Sequence, residues 1–182
     1  MNAQTVIFQE PDPGELAEIE KHSSDQLPRS AMVVLVGDNN DDDESYQRLL
    51  IELLEEDNFT VDAVVSTPLV KRKIRQALET AVVGGADLVL VVGGTGVGPR
   101  DATPEATKKV LDKRLMGLEQ ALRASGLAAG SPEAGLSRGM AGVSGQTVIV
   151  NLARTRAAVR DGMATLGPLA HHIIQDLDCW QV

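Results

Sequence analysis

The chain has 182 residues, 43% of them hydrophobic and 24% charged, with a net charge of −9, values that suit one soluble globular domain with or without a tail. Its one cysteine, Cys179, excludes an internal disulfide and a multi-cysteine zinc site. No apolar run approaches the roughly 20 residues of a membrane span, and the acidic N-terminus lacks a basic, apolar leader, so a soluble cytoplasmic protein is expected.

The net charge hides an asymmetry: residues 1–57 carry 15 acids and 3 bases, whereas residues 58–182 carry 11 acids and 14 bases. An anion-binding surface is therefore expected in the later part of the chain. Aromatic residues reduce to Phe8, Tyr46, Phe59 and Trp180, too few for the stacking platforms of single-strand nucleic-acid readers. Neither nucleic acid nor membrane is an expected partner.

Residues 1–29, with Pro11, Pro13, Pro28 and scattered acids, read as an acidic, partly disordered tail with room for a short helix at Glu15–His22. From residue 30 to the end, strand and helix alternate. Ala31–Val36 is a continuous β-prone run, and Ser45–Asp57 sets Leu49, Leu50, Leu53 and Leu54 on one helical face. Phe59–Ser66 alternates as a second strand, and Leu69–Val83 has helical spacing. Asp87–Val92 is a third, apolar strand. Helices are expected over Pro104–Arg114, capped by Thr103, and over Gly117–Ser125. Thr147–Asn151 is a buried strand, and Ala157–Asp178 holds one or two closing helices around Gly167-Pro168. This order implies an α/β domain with a mostly parallel sheet.

The stretch Val91–Thr107, VVGGTGVGPRDATPEAT, carries the chemistry. An apolar strand runs into four glycines within six residues, then Arg100-Asp101, then a helix start. Glycines let a ligand approach backbone amides closely, and amides at a helix start favour an anion. Arg100 adds a fork of donors suited to phosphate, and ligands of parallel sheets gather at the carboxyl ends of strands. A structural glycine turn is the competing reading, against which the Arg-Asp pair weighs. The Gly-Lys-Ser/Thr triplet of the P-loop is absent, and Pro99 stands where the dinucleotide fingerprint needs glycine.

GGTG followed by PRDATPEAT resembles the signature of the Mog/MoaB family of molybdenum-cofactor biosynthesis proteins. The resemblance continues through Leu136-Ser137-Arg138-Gly139, Ala141-Gly142, Gly145 and Val148–Leu152, and spans about Ser30 to Leu177. It implies a three-layer α/β sandwich, assembled as a homotrimer or hexamer, that binds molybdopterin and transfers AMP from Mg-ATP to its terminal phosphate. Carried over by residue, Gly93, Gly94, Thr95 and Gly96 cradle phosphate, and Arg100 neutralises its charge. Asp101 is the catalytic residue, either holding Mg²⁺ or orienting a phosphate. Thr103 and Glu105 stand at the helix start, Ser137 and Arg138 line the pterin pocket, and Asn151 ends the later strand facing the ligand.

Three positions depart from the family pattern. Leu69, after Thr67-Pro68, occupies the place of an acid important for adenylation, and leucine cannot bind Mg²⁺. Asn151-Leu152-Ala153-Arg154 replaces the family's Asn-Leu-Pro-Gly turn. The first strand ends in Gly37-Asp38-Asn39 before the acids 41–44, where Asp38 is a further candidate Mg²⁺ ligand. Leu69 therefore raises an alternative: a catalytically inactive relative that binds pterin or regulates a protein partner. The remaining constellations are bland. His171 and His172 make a poor metal pair, Lys71, Arg72, Lys73 and Arg75 read as a solvated helix face, and Cys179 beside Trp180 reads as terminal packing.

Overall fold

The computed structural model describes residues 28–37 and 44–179. The tail helix expected at Glu15–His22, Asp38 and Trp180 lie outside the described residues. The elements follow in the order β1 (Arg29–Val36), α1 (Glu44–Glu56), β2 (Phe59–Thr67), α2 (Lys71–Val83), β3 (Leu88–Val92), α3 (Thr103–Thr107), β4 (Lys113–Arg114) and α4 (Met116–Ala128). A 3-10 turn (Pro132–Leu136), β5 (Ala141–Ser144), β6 (Thr147–Leu152) and α5 (Arg156–Asp178) complete the chain.

The six strands form one sheet in the order β2-β1-β3-β6-β5-β4. The first four run parallel, and β5 and β4 join antiparallel. Because side chains alternate across a strand, each central strand feeds two cores. Val33, Leu35, Leu90, Val92, Val148 and Val150 pack with α1 and α5, through Leu50, Leu54, Met163 and Leu166. Val34, Val36, Val89, Val91 and Ile149 face the other way, onto Ile74 and Leu78 of α2 and Ala106 of α3. Two cores on the two faces of one sheet are the expected three-layer α/β sandwich. Burial on both faces also explains why β1, β3 and β6 are unbroken apolar runs.

Two expectations need correction. The helix expected over Pro104–Arg114 ends at Thr107, and Lys113-Arg114 becomes the edge strand β4. Tertiary pairing outweighs local propensity there: Asp112 N–H donates to Val143 O at 2.8 Å and Leu115 N–H to Ala141 O at 2.8 Å. Thr103 is the first residue of α3, not its cap; the cap position belongs to Ala102, which makes no side-chain bond. The closing segment, left open as one helix or two, is the single helix α5, with Pro168 inside it on the exposed face.

Candidate phosphate-binding site

The strand order brings the chain segments after β1, β3 and β6 side by side at the carboxyl end of the sheet. They enclose a cavity of about 590 Å³ whose lining includes Gly37, Leu69, Gly93–Gly96, Asp101, Ser137 and Arg154. Gly93 and Gly94 have φ of 107° and 63°, which side chains rarely adopt. A Cβ on Gly93 would lie 2.3 Å from Val36 O, and one on Gly94 would lie 2.4 Å from Thr103 Oγ1. Only glycine fits either place, so the loop presents bare backbone to the cavity.

Three side chains fix that loop. Thr103, fully buried, donates its hydroxyl to Gly93 O at 2.8 Å, while its amide donates to Gly94 O at 3.2 Å. The Asp101 carboxylate accepts the Gly98 amide at 2.9 Å, bridging the second half of the loop. Arg138 staples the rest: Nε donates to Gly96 O at 2.7 Å, Nη2 donates to Asp101 O at 2.7 Å, and Nη1 pairs with Glu105. Its backbone amide also donates to Thr95 O at 2.9 Å. Burial alone would raise the Glu105 carboxyl, but the Arg138 hydrogen bond and charge, its own backbone amide and the charge of Lys71 hold it below the ordinary glutamate range. Its Oε2 is buried without a hydrogen-bond partner.

The candidate residues thus divide by what their polar atoms do. Gly93, Gly94, Thr95, Gly96, Asp101 and Ser137 line the cavity. Ser137 Oγ also accepts the Gly139 amide at 3.3 Å, and Ser137 borders an adjoining cavity of about 120 Å³ between α4, β6 and α5. Thr103, Glu105 and Arg138 act on the loop from behind. Asn151 is 3% exposed, and both ends of its amide serve the fold: Nδ2 donates to Thr107 Oγ1 at 3.0 Å and Oδ1 accepts the Met140 amide at 3.2 Å. The protein itself supplies the partners that the sequence reading left to a ligand. Arg100 is exposed and is not among the residues lining the cavity, whereas Arg154, which the sequence reading gave no role, is.

A Mg²⁺ ion commonly takes one or two protein carboxylates together with substrate phosphates and water. Among the described residues no group of three metal-ligating side chains occurs. Asp101 and, at the 3-10 turn, Glu133 are the carboxylates lining the cavity. Asp101 has its second oxygen beyond the one bound to Gly98, so a phosphate-dependent Mg²⁺ held by that single carboxylate fits the donor set. Leu69 is an apolar wall instead, its Cδ2 standing 3.0 Å from where a Cβ on Gly94 would be.

Residues 32–172 match the family model described as a probable molybdopterin binding domain. A molybdopterin biosynthesis protein from Mycobacterium abscessus superposes with a TM-score of 0.80 at 52% identity, covering 85% of this chain and 99% of that one. Molybdenum cofactor biosynthesis protein B of Bacillus cereus is 32% identical over 144 residues, 76% of this chain and 83% of the relative. A molybdopterin adenylyltransferase of Helicobacter pylori is 42% identical over 82 residues, 45% of this chain and 46% of that protein. The chain spans only 12% of the Dictyostelium discoideum gephyrin and 14% of the Drosophila melanogaster cinnamon protein that it also matches. With a glycine cradle at the strand ends and a family match over most of its length, the chain belongs to the molybdopterin-binding domain family.

Proposed function

We propose that this chain works in molybdenum cofactor biosynthesis, holding molybdopterin by its terminal phosphate in the glycine cradle and transferring AMP to it from ATP. The observation that carries this reading is the cradle itself, where Gly93 and Gly94 line the cavity and are held at positive φ with no room for a Cβ. The Helicobacter pylori relatives, which are named molybdopterin adenylyltransferases, support the choice of reaction.

In this reaction an oxygen of the molybdopterin phosphate attacks the α-phosphorus of ATP. One P–O bond forms, the bond to the β-phosphate oxygen breaks, and pyrophosphate leaves with the electron pair. Such transfers depend mostly on positioning and on neutralising charge. The loop amides of Gly94–Gly96 bind the acceptor phosphate, the Gly93 amide being held by Leu152 O, and Thr103 and Arg138 keep the loop in place through the carbonyls of Gly93 and Gly96. Asp101 orients the loop through Gly98 and is the residue that would hold Mg²⁺, an ion that supplies charge neutralisation on the phosphates. The Ser137 hydroxyl stands where the two cavities meet.

Mass spectrometry of the protein incubated with molybdopterin and Mg-ATP tests the reading; adenylated molybdopterin and equimolar pyrophosphate are expected. Asp101→Ala should abolish both products while the thermal midpoint stays within a few degrees of the parent. Bound but unmodified molybdopterin would instead assign the chain a pterin-carrying or regulatory role, the outcome that Leu69 in the cavity wall makes specific. The same reading carries assembly as a homotrimer or hexamer, which sedimentation equilibrium measures directly.

A further inference from the structure

The loop after β6 places a cation in the cradle. Arg154 Nη1 donates to Val36 O at 3.2 Å, the same carbonyl against which the Gly93 backbone is packed. The side chain therefore reaches from the end of β6 across β3 to the end of β1 and lies beside the first glycine of the cradle. Its backbone is tied down separately, since Tyr46 in α1 donates its hydroxyl to Arg154 O at 2.7 Å. Room for the guanidinium comes from Gly37, where a Cβ would lie 2.1 Å from Nη1; any other residue at 37 would displace it. Gly37 and Arg154 are thus a matched pair, and both line the cradle cavity with Leu69 and Asp101.

An arginine held at its backbone and through its guanidinium has lost most of the freedom that a phosphate would otherwise have to restrain, and its planar fork suits phosphate oxygens. Leu69, where the family pattern has an acid, adds an apolar wall and no negative charge to the cavity. We propose that Arg154 is the cationic clamp of the cradle and that this cavity binds a phosphate monoester or diphosphate group directly on Arg154, without needing a divalent metal for affinity. The inference rests on the reading of the cradle as a phosphate site and names the residue that supplies its charge.

Isothermal titration of the full chain with inorganic pyrophosphate, in EDTA and again in excess Mg²⁺, tests it. Wild-type protein should bind in EDTA, and Arg154→Gln should weaken binding at least tenfold and lower the salt dependence by about one charge. Arg72→Gln, on the exposed basic face of α2 away from the cavity, should bind like wild type. A second measurement on the wild type guards against misfolding of the variant: pyrophosphate should protect Arg154 from phenylglyoxal, read by peptide mass spectrometry, more than it protects Arg72. Undiminished binding by Arg154→Gln, or equal modification of Arg154 with and without pyrophosphate, overturns the clamp while leaving the cradle reading intact. Binding only with Mg²⁺ overturns the metal-independent clamp. No binding under either condition overturns the clamp and the phosphate cradle together.

Discussion

Two arginine–glutamate pairs hold this molecule at opposite ends of its chemistry. Arg138–Glu105 sits behind the cradle, with side chains 35% and 44% exposed, and its guanidinium also gathers the carbonyls of Gly96 and Asp101. Arg114–Glu119 sits at the antiparallel edge, where Glu119 is 2% exposed and accepts from Arg114 at 2.7 Å and 2.8 Å and from the Ala141 amide at 3.2 Å. Arg123 stands 3.7 Å from the same carboxylate. The chemistry is the same and the burial is not. A charge sealed inside must be matched or the fold fails, whereas a half-exposed pair contributes little to stability and is available to shape a loop.

The largest effect should come from Glu119. Replacing it with Ala removes two charge-assisted hydrogen bonds and leaves the Ala141 amide without its acceptor, and should cost about 3 kcal/mol in urea unfolding. The pH dependence sharpens the point. Burial alone would raise the Glu119 carboxyl, but the Arg114 hydrogen bond, the Ala141 amide and the charges of Arg114 and Arg123 hold it below the ordinary glutamate value. A carboxyl that binds its proton more weakly in the folded state than in the unfolded state contributes stability above its unfolded pKa. That contribution is lost as the pH falls through the lower, folded value. Glu119→Gln should therefore flatten the acid limb of the stability curve; an unchanged acid limb would show that the edge network is not what acid breaks.

These two ends also differ in how far the sequence disclosed them. Long apolar runs such as Ala31–Val36 and Asp87–Val92 can only be strands covered on both faces, so the parallel half of the sheet was legible to within a residue or two. The glycine run at 93–98 was legible as a tight loop at a strand end, where Gly93 and Gly94 take positive φ. The antiparallel edge was not. β4 is two residues long and β5 is Ala-Gly-Val-Ser, with no period to detect, so Lys113-Arg114 was absorbed into a helix that Asp112 and Leu115 in fact abandon for sheet pairing. Thr103 illustrates a local rule overridden: threonine before proline reads as a cap, yet its hydroxyl is turned to Gly93 O across ten residues. Arg154 stood out only as a departure from the family turn, and its place in the cavity was not legible for a related reason. Its partner carbonyl, Val36 O, is 118 residues away, and only the β1-β3-β6 order brings them together.

An intermediate effect is expected at Thr103. Thr103→Val keeps the shape and removes the donor, leaving the Gly93 carbonyl unpaired beside a buried residue. Such an orphan costs about 1–2 kcal/mol, so the urea midpoint should fall moderately. Because the lost bond is at the cradle and not at the edge, pyrophosphate affinity should fall with it. A variant that lost stability while binding pyrophosphate as tightly as wild type would show that Gly93 is held well enough by its own amide, which donates to Leu152 O at 2.9 Å.

The smallest change in stability, and the clearest separation of folding from function, should come from Arg138. Arg138→Ala removes a half-exposed ion pair, for which no more than about 1 kcal/mol is expected, but it frees Gly96 O, Asp101 O and Glu105 at once. The second half of the loop then keeps Asp101–Gly98 as its tie, and hydrogen exchange at the amides of residues 96–101 should accelerate while that of β1 and β3 stays slow. Arg138→Lys should not restore protection, since a lysine ammonium keeps the charge but lacks the planar fork that spans two carbonyls and a carboxylate. Full protection in the lysine variant would mean that charge toward Glu105 alone holds the loop. Arg138 would then resemble Arg114, an anchor for one carboxylate.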